Sequence, residues 1–546
     1  MPGQEPLLVV DSLTLCTHLG QTLVNDVSFT VERSEIVALV GESGSGKTLS
    51  SLAVMGLLPE GVYHQHGEVK FNGDVVASPG KPFAKGLRGR QMAMIFQEPM
   101  SSMNPVLKVG EQIAEVLVRH RNMGWKQAHR EAVNLLDRVG IVDPAARAKQ
   151  YIHQLSGGMR QRVMIAAAMS CKPSLLIADE PTTALDVTIQ AQILALLQEL
   201  QREMAMGVLF ITHDLSVVAR YADRAYVMHQ GKVVEQGSVP ELLTSPQAAY
   251  TRQLIAASET AALPLRCPNG SRSPLIQLSR ITKSYPVAHA LPFVPAKRET
   301  VLHPTSLEIE RGEIVGLIGE SGSGKTTLGR SAIGLVPIDS GTIIFDGLDL
   351  TRASAGEQRQ MRKRAQIIFQ DPYASLDPKM SVGEQIAEPL RVHQLCRKEC
   401  IPARVNQLLE LVGLEAGVAS RKPAAFSGGQ RQRIAIARAL ALEPDLLIAD
   451  EAVSALDLSV RGQVLALLAD LRDKLGLTVL FISHDLGAVR QICDRVVVMY
   501  RGKVVETGET RQVLEKPKQD YTRQLLAAAP DIQQALALRG DREFKR

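Results

Sequence analysis

Two glycine-rich loops, each ending in lysine and threonine, give this 546-residue chain its first chemical signature. Gly41, Glu42, Ser43, Gly44, Ser45, Gly46, Lys47 and Thr48 reappear as Gly319, Glu320, Ser321, Gly322, Ser323, Gly324, Lys325 and Thr326. Small residues ahead of each lysine let the backbone curl until successive N–H groups point at phosphate oxygens. A helix that follows adds its positive N-terminal end. Lys47 and Lys325 can then reach the β- and γ-phosphates, and Thr48 and Thr326 offer hydroxyls to Mg2+. One unit-charge contact at about 4 Å is worth on the order of 4 kcal/mol at an effective dielectric of 20. Two such loops, each after an apolar run, predict two nucleoside triphosphate sites.

The remaining chemistry also occurs twice and in the same order. Asp179–Glu180 and Asp450–Glu451 end the apolar runs Leu175–Ala178 and Leu446–Ala449. In a parallel sheet that is the edge where ligands bind. Asp179 and Asp450 are assigned to Mg2+, and Glu180 and Glu451 to orienting or deprotonating the attacking water. His213 and His484 follow the next apolar runs and are expected to hydrogen-bond the γ-phosphate or that water. Gln97 and Gln370 end two further runs, where a neutral amide can ligate Mg2+ or sense the water. Ser156–Gly157–Gly158 and Ser427–Gly428–Gly429 each open a helix and present a hydroxyl and backbone N–H groups suited to an anion. Each half already wraps one nucleotide with its own loop. The spare anion sites therefore suggest a shared sandwich, with Ser427 closing over Lys47 and Ser156 over Lys325.

Positioning these residues requires strands alternating with helices, hence α/β domains with parallel-rich sheets. Repetition at this length means two complete domains rather than small stacked units. Boundaries are expected at 1–260 and 275–546, joined by a Pro/Ser/Gly-rich connector at 261–274. A more helical region lies near 108–150 and again near 381–421. The net charge of +5 is small for this length and no long basic block stands out, so a nucleic-acid partner is not implied. The start, Met1–Glu5, lacks a signal-peptide layout, and no apolar run reaches the ~18 residues of a membrane span.

The quoted motifs resemble the ATP-binding cassette family across nearly the whole chain, looking like its Walker A, Q-loop, signature, Walker B and switch histidine. Thr183–Asp186 and Ser454–Asp457 look like its D-loops. The resemblance implies two P-loop cassettes in tandem, each with a parallel-rich core sheet, a small antiparallel β region and a helical subdomain. It also implies ATP and Mg2+ as ligands, an intrachain pseudo-dimer and ATP hydrolysis coupled to transport. Phe96–Pro105, Phe369–Pro378 and the repeated tails Tyr250–Leu254 and Tyr521–Leu525 resemble the peptide and nickel importer branch. The fused form is most similar to the ATPases of microcin C/oligopeptide importers, and next to those of glutathione importers. Such proteins work at the cytoplasmic face of the inner membrane with two transmembrane permease subunits and, indirectly, a periplasmic solute-binding protein. The family places an aromatic residue against adenine. Tyr285 fits that role in the second half, whereas Leu15–His18 supplies none in the first, which predicts weaker ATP affinity there. Ala452 stands after Glu451 where Pro181 follows Glu180, with little chemical effect expected.

Rival readings are a soluble tandem cassette acting on ribosomes and the ATPase of another small-solute importer. The ribosomal class carries a long charged helical linker, which the short connector does not match. Other features read as structural. Cys396 and Cys400 are spaced to share a helix face, and the six cysteines complete no zinc or iron–sulfur pattern. Trp125 and the methionines around Gln97 read as packing, Arg359–Arg364 as an exposed face, and Arg539–Arg546 as a solvated end.

Overall fold

The structure, a computed structural model, describes residues 5–182, 185–258, 274–286, 298–370, 375–454 and 456–543. It divides into two compact units, Met1–Glu259 with Pro530–Arg546, and Thr260–Ala529. Of the connector expected at 261–274, residues 261–273 lie outside the described residues, and Pro274 already opens a strand.

In the first unit, strands β1 (Leu8–Thr17), β2 (Thr22–Val31), β4 (Val62–Phe71) and β5 (Asp74–Ala77) form an antiparallel sheet in the order β2-β1-β4-β5. The core sheet runs β10-β9-β3-β8-β7-β6, using β3 (Ile36–Val40), β6 (Met92–Ile95), β7 (Leu175–Asp179), β8 (Gly207–Thr212), β9 (Arg224–His229) and β10 (Lys232–Ser238). All its pairings are parallel except β9 with β10. The second unit repeats this plan. Its antiparallel sheet is β11 (Pro274–Pro286), β12 (Arg298–Glu310), β14 (Ser340–Phe345) and β15 (Leu348–Asp349), ordered β12-β11-β14-β15. Its core sheet runs β16-β17-β18-β13-β19-β20. The strands are β13 (Ile314–Ile318), β16 (Ala365–Ile368), β17 (Leu446–Asp450), β18 (Thr478–Ile482), β19 (Arg495–Tyr500) and β20 (Lys503–Glu509).

Side-chain alternation explains why the central strands read as unbroken apolar runs. Val315 and Leu317 join the core shared with the antiparallel sheet, while Ile314 and Ile318 join the core on the helical side. A strand covered on both faces has no position left for a polar residue. The helical regions hold Val109–Arg121 and Trp125–Arg138 in one unit, and Val382–Val392 and Ile401–Leu411 in the other. Among the described residues, no helix is long and apolar enough to cross a membrane.

Three readings need correction. Cys396 and Cys400 do not share a helix; Cys400 ends the short 3-10 turn Lys398–Cys400 and Cys396 precedes it. Trp125 opens its helix half-exposed beside the His129 ring rather than inside a core. Most consequentially, the segment that holds Arg539 is not a solvated tail. Ile532–Glu543 is a helix whose Ile532 and Ala535 are buried, and Arg539 donates to the carbonyl of Ala222 and the carboxylate of Asp223 in the first unit. Periodicity alone gave no reason to dock so charged a segment. Met92 and Met94, in contrast, are core residues.

Candidate ATP site

Each phosphate loop leaves the end of a central strand and turns into a helix, Lys47–Val54 or Lys325–Ala332. The turn is possible because Gly44 and Gly46, like Gly322 and Gly324, take positive φ. Lys47 Nζ, on a residue 5% exposed, donates to the carbonyls of Gly41 (2.8 Å) and Glu42 (2.7 Å) and to Ser45 Oγ (3.3 Å). Lys325 Nζ donates to Gly319 and Glu320, both at 2.8 Å. The ammonium thus folds the loop over itself and satisfies its carbonyls, which leaves amides on the inner side for an anion.

Beside the loop, Thr48 Oγ1 donates to Asp179 Oδ1 at 3.2 Å, and Thr326 Oγ1 to Asp450 Oδ1 at 2.9 Å. Glu180 and Glu451 follow directly, at φ 44° and 51°. Their amides bond back to Ile211 and Ile482, which turns both carboxylates off the strand ends. Gln97 Nε2 donates to Glu180 Oε2 at 2.8 Å, and Gln370 Nε2 to Glu451 Oε2 at 2.6 Å. The Nδ1 of His213 lies 3.1 Å from the other oxygen of Glu180, and that of His484 lies 3.6 Å from the other oxygen of Glu451. In both units one carboxylate is therefore held from two sides, by an amide and an imidazole, next to a hydroxyl–carboxylate pair.

The serine motifs make their contacts elsewhere in their own units. Ser156 Oγ accepts from Met159 N and caps the helix Gly157–Met169, and Ser427 Oγ accepts from Gln430 N and caps Gly428–Leu440. A Cβ on Gly158 or Gly429 would collide with Ile189 or Val460 of the next long helix, so glycine permits that close approach. Thr183, Ala184 and Ala455 of the proposed D-loops lie outside the described residues. Asp186 remains described and caps the helix Val187–Met204.

The ABC transporter family matches residues 24–183 and 302–454, more than half of the chain, covering both phosphate loops, glutamines, serine motifs and Asp-Glu pairs. The chain belongs to the ABC transporter family. Within it, an oligopeptide/dipeptide transporter C-terminal region matches residues 505–543. A glutathione import ATP-binding protein GsiA of Pectobacterium atrosepticum is 47% identical over 93% of this chain and 86% of its own length. Those of Salmonella paratyphi A and Escherichia coli K12 are 48% and 47% identical over 94% and 97% of this chain, and over 88% and 91% of theirs. A dimeric ATP-binding cassette bound to ADP and Pi aligns over 43% of this chain and 99% of that one, at 29% identity and a TM-score of 0.39. The family matches and the glutathione-import relatives make the chain an ATP-binding, ATP-hydrolysing protein of the peptide importer branch. The relatives carry the glutathione name that the sequence comparison placed second.

Electrostatics at the two ABC sites differ. Burial, with the neighbouring Glu180 charge, pushes the Asp179 carboxyl up to about 6. Burial also raises Asp450, but Arg330 Nη2 lies 3.5 Å from that carboxylate, whereas Leu52 holds the corresponding position in the first unit. Burial acts to raise Glu451 as well, yet the His484 hydrogen bond and charge and the Lys325 charge leave it below its ordinary value. A threonine hydroxyl, buried carboxylates and a glutamine amide form an all-oxygen donor set in a negatively charged niche, which fits Mg2+.

Three aromatic residues near the sites escaped the motif reading. Tyr285 is 38% exposed on β11 with Lys283 Nζ 5.4 Å from its ring centre. Thr17 takes the matching place in the first unit, yet the rings of His18 and Tyr63 stack beside it with centroids 5.6 Å apart. Tyr63 comes from β4, far from the motif in sequence, so no local pattern could nominate it. Tyr250 and Tyr521, noticed only as parts of a repeated tail, accept the N–H of Glu42 (3.2 Å) and Glu320 (3.0 Å) through their hydroxyls. Their rings pack on His229 and Tyr500. Each tail tyrosine thus pins the second residue of a phosphate loop. Because such a hydrogen bond contributes about 1 kcal/mol, Tyr250→Phe with Tyr521→Phe should weaken ATP binding roughly fivefold. Equilibrium titration with a fluorescent ATP analogue reads this directly, and unchanged affinity would remove the tyrosines from loop positioning.

Proposed function

We propose that this chain is the energy-coupling ATPase of an importer for peptide-like solutes, glutathione included. It would act at the cytoplasmic face of the inner membrane on two transmembrane permease subunits served by a periplasmic solute-binding protein. The observation that carries the ATPase part is the carboxylate held between glutamine and histidine in both units. Import of peptide-like solutes is supported by the C-terminal region match and by the names of the relatives.

In this reading Lys47 and Lys325 hold the β/γ-phosphates, and the loop amides take the remaining phosphate oxygens. Thr48, Gln97 and Asp179 would hold Mg2+ at the first site, and Thr326, Gln370 and Asp450 at the second. Bound there, Mg2+ neutralises charge on the phosphates. Glu180 and Glu451 orient or deprotonate the attacking water, and His213 and His484 keep those carboxylates aimed. Ser156–Gly158 and Ser427–Gly429 supply the second anion site of a head-to-tail sandwich, Ser427 to the nucleotide on Lys47 and Ser156 to that on Lys325. ATP binding closes the pair and drives the permease one way; hydrolysis resets it. Tyr285 takes adenine in the second unit.

Affinity purification of the chain from detergent-solubilised membranes of its own organism should bring down two multi-spanning permeases. Reconstituted with them and their binding protein, it should drive ATP-dependent uptake of labelled glutathione or short peptides. Ribosomal proteins in place of permeases would overturn the transport reading and leave the ATP chemistry standing.

A further inference from the structure

We propose that the C-terminal helix, Ile532–Glu543, is an intrachain strap that completes the first unit, and that its Arg539 is a positioning residue for the helix that follows His213. The first residue of each central strand lies at the end of the core sheet opposite the phosphate loop. In each unit an aspartate there ties the end of the post-histidine helix to the first residue of the central strand. Asp223 Oδ2 accepts from Ile36 N at 2.8 Å, and Asp494 Oδ2 accepts from Ile314 N at 2.8 Å. The backbones are also joined, Asp223 N to Ile36 O at 2.7 Å and Asp494 N to Ile314 O at 2.9 Å.

The two units hold these aspartates differently. In the second unit Arg472, on the helix Leu458–Leu475, donates through Nη1 to both oxygens of Asp494 at 3.2 and 3.3 Å, and only 8% of its side chain is exposed. The matching position of the first unit, on Val187–Met204, is Gln201, whose amide donates instead to the carbonyl of Met206 at 3.2 Å. The missing cation arrives from the end of the chain. Arg539 Nη2 donates to Asp223 Oδ1 at 3.3 Å, and its Nη1 to the carbonyl of Ala222. Its side chain is 16% exposed, and Ile532 and Ala535 are buried on the same helix at 3% and 0%.

The helix that Arg539 grips, Leu215–Tyr221, is capped at its other end by Asp214, which accepts from Ser216 N and Val217 N directly after His213. A short helix fixed at both ends holds the His213 ring against Glu180; freeing one end gives that ring play. Pro530–Arg546 follows a second unit that ends at Ala529 yet belongs to the first. The chain therefore links the two units covalently at both ends of the second. A consequence is that the first site depends on residues that follow the whole of the second unit in sequence.

The test uses the full chain with Arg539→Ala, Arg539→Ala/Gln201→Arg, and a truncation after Ala529. Arg539→Ala should lower kcat for ATP roughly fivefold with KM changed less than about twofold, because the arginine acts on aim and not on nucleotide contacts. Amides of Leu215–Asp223 should exchange with deuterium at least about tenfold faster, while those of Leu486–Asp494 stay unchanged. Gln201→Arg supplies an arginine of the Arg472 type and should restore both readouts. Faster exchange with unchanged kcat would overturn the positioning role, and failure of Gln201→Arg to restore either readout would overturn the equivalence with Arg472. Unchanged exchange in both Arg539→Ala and the truncated chain would overturn the strap itself.

Discussion

Replacing Glu180 and Glu451 together with glutamine should leave ATP binding near normal while turnover falls by at least about a thousandfold. The change is nearly isosteric, so the loops holding the phosphates, built on Lys47 and Lys325, are untouched. What changes is the acceptor set. Each carboxylate accepts an amide hydrogen bond on one oxygen, from Gln97 or Gln370, and has a histidine nitrogen at the other. A glutamine in that place offers one oxygen and one NH2, so one neighbour meets a donor instead of an acceptor, and the water loses its base. Rapid filtration with labelled ATP separates binding from turnover. Loss of binding would mean that the carboxylates support the fold of the site, and near-normal turnover would remove them from the chemistry. The single variants add information because Arg330 beside Asp450 has no counterpart in the first unit, where Leu52 stands. Unequal losses would show that the two sites do not contribute alike.

Much of this site was legible from the sequence because its parts sit at strand ends and helix starts, where local pattern and position coincide. The apolar runs before Gly41, Asp179 and Asp450 are buried on both faces, so hydrophobicity placed the loops at one sheet edge. Burial on both faces also made the fold class readable, since only a sheet covered on each side tolerates such runs. Contacts that join distant segments were not legible. Tyr63 reaches the edge near His18 only through the pairing of β4 with β1. Tyr250 and Tyr521 follow their phosphate loops by some two hundred residues, and nothing in a Tyr-Thr-Arg-Gln-Leu tail announces a bond to a loop amide. The last helix misled most. Its charge suggested a solvated end, whereas its place was set by Asp223 of the same unit and by the glutamine that stands at position 201 where the second unit has Arg472. Such a vacancy is visible only when the two units are compared residue by residue with their partners in view.

The second large effect concerns backbone instead of chemistry. Gly41→Ala should lower ATP affinity at the first site by at least about a hundredfold, and Gly319→Ala should do the same at the second. At Gly41 φ is 152° and at Gly319 it is 148°, values that side chains rarely tolerate. Space is the harder limit. A Cβ on Gly41 would stand far inside contact distance of the carbonyl oxygen of Met228, and one on Gly319 would meet that of Met499 in the same way. Both obstacles are backbone atoms at the neighbouring strand β9 or β19, so no side chain can swing aside. The loop must shift instead, and with it the carbonyls of Gly41 and Glu42 that hold Lys47, or of Gly319 and Glu320 that hold Lys325. Gly80→Ala is the control. It also has a positive φ, 70°, but open space around its Cβ, so it should cost only about 1 kcal/mol of stability and leave ATP affinity within a few-fold. Isothermal titration in Glu180→Gln/Glu451→Gln protein should count two binding events in the parent and one in each loop variant. Two undiminished events in Gly41→Ala would mean that the loop tolerates the displacement. The contact with Met228 would then not be what fixes the position of Lys47.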